Sequence, residues 1–173
     1  MSEQQQEIKK ESILQKALET RKNIINSVDE HNLEFVNEVN GVGYVNDSMS
    51  FSVSTTLRSM ESFEVPVILI IGGFDINNDY SILSGVIREK VRGVIYLGKD
   101  NEKIITHCKA KNSMLFSSAS SLEEAVNIAF YYATPGNVVL FSPACASGKE
   151  FADYKVRGNE FKKAVNALIP KQD

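Results

Sequence analysis

From Glu7 to about Val28, apolar residues recur every three or four positions: Ile13, Leu14, Ala17, Leu18, Ile24, Ile25 and Val28. That spacing predicts an amphipathic helix with a polar, Gln-rich start. Two β-type stretches follow, Leu33–Val39 and Val42–Val45, joined by Asn40-Gly41. An Asn-Gly pair between such runs predicts a tight hairpin, because both positions tolerate positive φ. The chain therefore divides into an N-terminal helix, residues 1–30, and one domain, residues 31–173.

Beyond the hairpin the pattern alternates. A helix-like segment, Ser54–Ser62, precedes the unbroken apolar run Val65–Ile71, which ends in Gly72-Gly73. A helix over about Tyr80–Lys90 leads to a strand at Gly93–Leu97, ending at Gly98. A helix over about Asn101–Lys109 leads to a weaker strand at Ser113–Phe116. Leu122–Ala133 reads as helix, Asn137–Phe141 as strand, and about Asn159–Ile169 as a final helix. Runs apolar on both faces suit central parallel strands covered on each side. The alternation predicts an α/β fold, a Rossmann-like open sheet of about six strands. It is mostly parallel, with the hairpin as an antiparallel edge and Val67–Ile71, Val94–Leu97 and Val138–Phe141 at the centre.

Composition narrows the function classes. The chain has 173 residues, 43% hydrophobic and 24% charged, with a net charge of −3. That is enough apolar material for a core, and it gives no electrostatic reason to expect nucleic acid or an anionic membrane. The longest apolar run is strand-sized, so no membrane span is expected. The polar start, Met1 to Lys10, does not read as a secretory signal, and two cysteines, Cys108 and Cys145, make no disulfide framework. A cytoplasmic protein is the expectation.

In an open parallel sheet, ligands bind beyond the carboxyl ends of the strands. Four segments converge there: Asn46-Asp47-Ser48, Gly72-Gly73-Phe74-Asp75, Gly98-Lys99-Asp100, and Ser142-Pro143-Ala144-Cys145-Ala146-Ser147. The glycines allow sharp turns and close backbone approach, although Gly98 taken alone reads as turn chemistry. Neither a Gly-x-x-x-x-Gly-Lys-Ser/Thr loop nor a Gly-x-Gly-x-x-Gly fingerprint is present, which argues against a self-sufficient nucleotide enzyme of either type. His31 and His107 stand apart and read as surface residues rather than metal ligands. Cys145, among small residues after a buried run, reads as a packed thiol rather than a nucleophile.

Three strings of residues carry a resemblance. The first is His31-Asn32-Leu33-Glu34-Phe35-Val36 with Asn40-Gly41-Val42 and Asn46-Asp47-Ser48. The second is Ile70-Ile71-Gly72-Gly73 with Asp75 and Asn78-Asp79-Tyr80-Ser81. The third is Ser142–Ser147 with Phe151, Tyr154, Arg157-Gly158 and Glu160-Phe161. Together they resemble the C-terminal domain of the Mur ligases, in particular the D-glutamate-adding branch of peptidoglycan biosynthesis. The match runs from about His31 to the C-terminus. The resemblance implies an ATP- and Mg²⁺-dependent amide ligase of three domains. Its central domain carries the phosphate loop, metal ligands and a modified lysine, and its C-terminal domain brings the incoming D-glutamate and part of the nucleotide site. It implies a substrate and nucleotide site around Asp47, Ser48, Gly72, Gly73, Asp75, Ser142, Ser147 and Phe151.

Several positions depart from the family pattern. Lys-Ala-Thr-Asn after Asn-Asp-Ser is here Met49-Ser50-Phe51-Ser52. Ile76 stands where a lysine meets the D-glutamate carboxylate, Asn32 where an arginine reaches the nucleotide, and Lys149 where an aspartate stands in the third motif, with Gly148 before it in place of an aromatic. Losing the charges of a dicarboxylate site while keeping its scaffold points to a stand-alone relative, catalytically inactive by itself, without catalytic residues, metal or cofactor of its own. It would act as a binding or interaction module. The alternative is a subunit that completes a D-glutamate-adding ligase in trans. Two surfaces are candidates for a protein partner or a homodimer. One is the N-terminal helix, which could equally fold back on its own sheet. The other is a pocket bounded by Asp47, Met49, Phe51, Gly73, Ile76, Ser142, Ser147 and Phe151, now apolar, which would either collapse or present hydrocarbon to a partner.

Overall fold

Six strands carry the most apolar runs of the chain into a single sheet, ordered β1-β2-β6-β3-β4-β5. A computed structural model describes residues 29–73, 78–98, 104–106, 114–148 and 150–170. Its elements are β1 (Glu34–Val39), β2 (Val42–Asn46), α1 (Val53–Glu61), β3 (Val67–Ile71), a 3₁₀ turn (Ser81–Leu83), α2 (Ser84–Lys90), β4 (Val91–Leu97), β5 (Leu115–Ala119), α3 (Leu122–Tyr132), β6 (Val138–Phe141) and α4 (Tyr154–Asn166). The helix expected before Asp29 lies outside the described residues, as do His107 and Cys108.

β1 and β2 pair antiparallel across Asn40-Gly41, whose φ values of 52° and 72° fit the mirror-image turn a two-residue hairpin prefers. Every other pairing is parallel: β2 with β6, β6 with β3, β3 with β4, and β4 with β5. The fold is thus the mostly parallel six-stranded sheet that the alternation predicts.

Strand period two sorts the central side chains onto two faces. Val67, Leu69 and Ile71 of β3 and Leu140 of β6 pack with Met60, Phe63, Leu83 and Ile87, beneath α1 and α2. Ile68 and Ile70 of β3 and Val139 and Phe141 of β6 pack with Val126, Ala129, Phe161 and Val165, beneath α3 and α4. Phe141 stacks on Phe161 with ring centres 5.0 Å apart. The three runs expected at the centre are the buried interior strands β3, β4 and β6.

Several boundaries differ from the periodicity. The last helix is Tyr154–Asn166, five residues earlier at its start than expected. Asp153 caps it, accepting from the backbone of Lys155 at 2.8 Å and Val156 at 2.9 Å. A polar cap marks a helix start that apolar spacing does not. The helix expected over Tyr80–Lys90 is split, its first turn being 3₁₀. β5 lies two residues further along than expected.

Candidate functional site

Strand order reverses at β3. The chain moves outward through β4 and β5, then returns to place β6 on the other side of β3. The loops after β3 and β6 therefore diverge from a shared crevice, the place where open α/β sheets hold ligands. They are joined there, Gly72 donating its N–H to the Pro143 carbonyl at 3.0 Å. Gly72 has φ 107°, and a Cβ on it would run into the Tyr96 ring, while one on Gly73 would strike the Cys145 sulfur. Only glycine fits at both points. Cys145 is buried, its thiol directed at the Gly72 carbonyl at 3.5 Å, so it is a packed thiol here.

Asp47 follows β2 into this crevice and is 1% exposed. Its carboxylate accepts from Ser50 Oγ at 2.6 Å, Ser142 Oγ at 2.8 Å and the Leu33 backbone N–H at 3.3 Å. Burial pushes its pKa above the usual carboxylate value, and the hydrogen bonds from Ser50, Ser59, Ser142 and Leu33 oppose that rise. Ser142 in turn shares a hydrogen bond of 2.8 Å with Thr56 on α1. Ser50, at a position that departs from the family pattern, supplies the shortest of these contacts. Asp47 and Ser142 are both consumed inside the fold.

Ser48 is buried beside them. Its hydroxyl donates to the Tyr154 carbonyl at 2.5 Å, and its own carbonyl accepts from the Arg157 guanidinium at 2.8 Å. Arg157 also donates to the carbonyls of Cys145 at 3.1 Å and Ala146 at 3.0 Å. One buried guanidinium therefore ties the loop after β2 to the loop after β6. It also holds that second loop in a shape where Ala144 sits at φ 60°, a left-handed conformation that disfavours residues with a Cβ by about 1 kcal/mol or more. Burial lowers the Arg157 pKa, but from so high a start that the group stays charged.

His31 is 2% exposed, so the expectation of a surface histidine is corrected. The turn preceding β1 folds it against the ring of Tyr154, where Gly158 leaves room for it. Asn46 places its amide nitrogen 2.9 Å from both His31 Nδ1 and Glu34 Oε2. The amide of Asn46 thus lies between the imidazole and the Glu34 carboxylate, to which it donates. Burial holds the His31 pKa below its ordinary value, the nearby Lys162 adds to this, and Glu30 and Glu34 oppose it. Lys162 itself bridges Glu30 at 2.6 Å and Glu34 at 3.1 Å.

The substituted positions occupy a different place. Met49 and Phe51 are 43% and 64% exposed, and with Asn32, Leu33, Thr55 and Arg58 they line an open groove of about 310 Å³. Met49 and Phe51 are the members of the expected pocket that line it. Asp47 and Ser142 lie buried beside it, half-buried Ser147 is on the loop after β6, and Phe151 packs on the α3–α4 face. Asp75, Ile76 and Lys149 lie outside the described residues. Ser52 caps α1, its side chain accepting from the Thr55 backbone N–H.

Sequence reasoning missed Arg157 and His31 as structural hubs. Arg157 stood in the third string, but nothing in a single sequence marks a buried arginine whose partners are backbone carbonyls. Among the described residues, no group of three His, Cys, Asp or Glu side chains could hold a metal ion. No described helix is long and apolar enough to cross a membrane.

No protein-family model matches the chain. Over 159 residues, 92% of its length, it is 42% identical to the UDP-N-acetylmuramoylalanine–D-glutamate ligase of Porphyromonas gingivalis, covering 34% of that protein. Over 157 residues, 91% of its length, it is 40% identical to the same ligase of Caldicellulosiruptor saccharolyticus, again covering 34%. The chain thus spans about a third of the length of these relatives. Among solved structures, a murein peptide ligase from Psychrobacter arcticus aligns with a TM-score of 0.54 at 9% identity, over 82% of this chain and 31% of that one. A domain described as from a UDP-N-acetylmuramate:L-alanyl-gamma-D-glutamyl-meso-diaminopimelate ligase of Haemophilus ducreyi aligns with a TM-score of 0.51 at 14% identity, over 79% of this chain and 98% of that one. At such identities the structural likeness speaks for the fold alone.

Proposed function

Because the chain carries a Mur ligase C-terminal-like domain, we propose that it is a binding or interaction module of peptidoglycan ligase descent that does not itself form the amide bond. The observation behind this is the contrast at the loop after β2. Asp47 is enclosed by hydroxyls and a backbone N–H, while the side chains presented outward beside it, Met49 and Phe51, are hydrocarbon. A D-glutamate or phosphate ligand needs cations and hydroxyls at such positions. Removing one partner of a buried charged hydrogen-bonded pair costs about 2–5 kcal/mol, a thirtyfold to several thousandfold loss of affinity. ATP with Mg²⁺ is the co-substrate that the family resemblance implies, and Asn32, where that resemblance places an arginine, would bring no charge to a nucleotide.

A second reading, a subunit completing a ligase in trans, draws on Ser147 and Phe151, which keep the residue types of the D-glutamate-contacting positions. Calorimetric titration of the chain with D-glutamate, Mg-ATP and the UDP-muramoyl peptide separates the two. No saturable heat below millimolar concentrations is the expected outcome. Sub-millimolar D-glutamate binding would overturn the module reading in favour of the ligase subunit.

A further inference from the structure

α3 covers the sheet face opposite α1, and it turns Leu122, Ala125, Val126 and Ala129 inward, all buried. At about 3.6 residues per turn, the positions between them run along the outside in lanes of i, i+4, i+8 spacing. One lane is Glu123, Asn127 and Tyr131; the other is Glu124, Ile128 and Tyr132. With Ser121 these residues line an open depression of about 560 Å³. Each lane therefore starts on a carboxylate and ends on a phenol ring.

No lysine or arginine stands in α3 to neutralise the two carboxylates. Ser120 donates its hydroxyl at 2.6 Å and its N–H at 2.7 Å to Glu124, which lowers the pKa of that group and keeps it ionised. Acids in a first helical turn are accounted for by the helix dipole. The aromatic pair at the other end is not. Tyr131 and Tyr132 are 73% and 52% exposed and meet edge to face, ring centres 5.2 Å apart. Tyrosine is enriched where proteins meet, and ring faces that share a surface with carboxylates attract a cation by quadrupole and charge together.

We propose that this outer face of α3 docks a basic segment of a partner protein, in extended form, with one cation over the Tyr131–Tyr132 pair and another against Glu123 and Glu124. This deepens the module reading above and rests on it, supplying the chemistry of the partner such a module needs. Charge selects the occupant: a second copy meeting this face through its own α3 would bring two more carboxylates and no cation. Spacing narrows it further. Eight residues of helix separate acid from ring in each lane, about 12 Å. An extended chain spans that in about four residues, and side chains four apart point the same way.

The test uses the full chain and a dye-labelled, capped seven-residue peptide, serine and threonine throughout except for arginines at its second and sixth positions. Fluorescence anisotropy should show saturable binding that weakens as salt is added. Tyr131→Ala with Tyr132→Ala should weaken it about tenfold, and Glu123→Gln with Glu124→Gln about as much. Tyr131→Phe with Tyr132→Phe should keep most of the affinity, because the ring face carries the attraction. All of these positions are exposed, and urea midpoints report that each variant is folded. No saturable binding by the wild type overturns the inference. So does equal affinity in the alanine variant, or a wild-type dimer on sedimentation that the alanines dissociate. D-glutamate titration involves none of these residues. Sub-millimolar D-glutamate binding would therefore defeat the proposed function while leaving the peptide result to stand or fall separately.

Discussion

Arg157 donates to the carbonyl of Ser48 at 2.8 Å, joining a residue of the last helix to the loop after the second strand. With its bonds to Cys145 and Ala146, the same guanidinium fixes both loops that flank the crevice. Arg157→Met should lower stability by about 2–4 kcal/mol, since two buried carbonyls and one part-buried carbonyl lose a charged donor. Arg157→Lys should recover less than half of that loss, because an ammonium cannot reproduce the planar fork. Urea denaturation of the three proteins measures both.

Gly158→Ala should be destabilising although the position is helical. A Cβ there would press into the His31 imidazole and lie 2.9 Å from the Asn46 amide nitrogen. Overpacking of this kind costs about 1–3 kcal/mol, and the imidazole has little space to retreat. A lower urea midpoint with an unchanged slope is the expected signature.

Acidification should weaken the fold through His31. Its pKa in the fold is held below the ordinary 6.5, so the unfolded chain binds the proton more readily. Stability is then full above pH 6.5, falls as the pH drops below it, and levels off under the folded-state pKa. Asp47 acts in the opposite direction, its raised pKa adding stability as the pH falls toward 3.8. The difference between wild type and His31→Gln isolates the histidine. The variant's urea midpoint should change less between pH 7.5 and 5.5, and equal slopes would contradict the assignment.

Tyr44 carries a buried hydroxyl with no hydrogen-bond partner among the described residues, and burial pushes its pKa up to about 12. Tyr44→Phe removes a polar atom that the fold leaves unsatisfied. It should be neutral or stabilising by about 1 kcal/mol, seen as an equal or higher thermal midpoint.

The strands were legible because burial on both faces writes itself as uninterrupted runs such as Val67–Ile71. The hairpin was legible because Asn40-Gly41 has few other uses. The start of α4 was not, since Asp153 acts through a cap rather than through periodicity. The candidate site was legible as a set of loops, and burial within them was not. Single-sequence reading places Asp47, Met49 and Phe51 within five residues of one another, yet it does not say that the first is enclosed and the other two are exposed. His31 misled for the same reason. Its burial depends on Gly158 and Tyr154, more than a hundred residues away, and no local pattern carries that information.

The irregularity between Phe35 and Asn37 in β1 has a consequence for the outer margin of the sheet. β1 ends the strand order, so its outward backbone groups form the kind of row onto which a stray extended peptide could add itself. An extra residue there interrupts the even spacing that such an addition needs and increases the local twist. Glu38, exposed beyond the bulge, places charge along the same margin. An incoming strand would find a few bonding groups in phase and then lose step, which leaves this border of the sheet poorly suited to seeding fibrils.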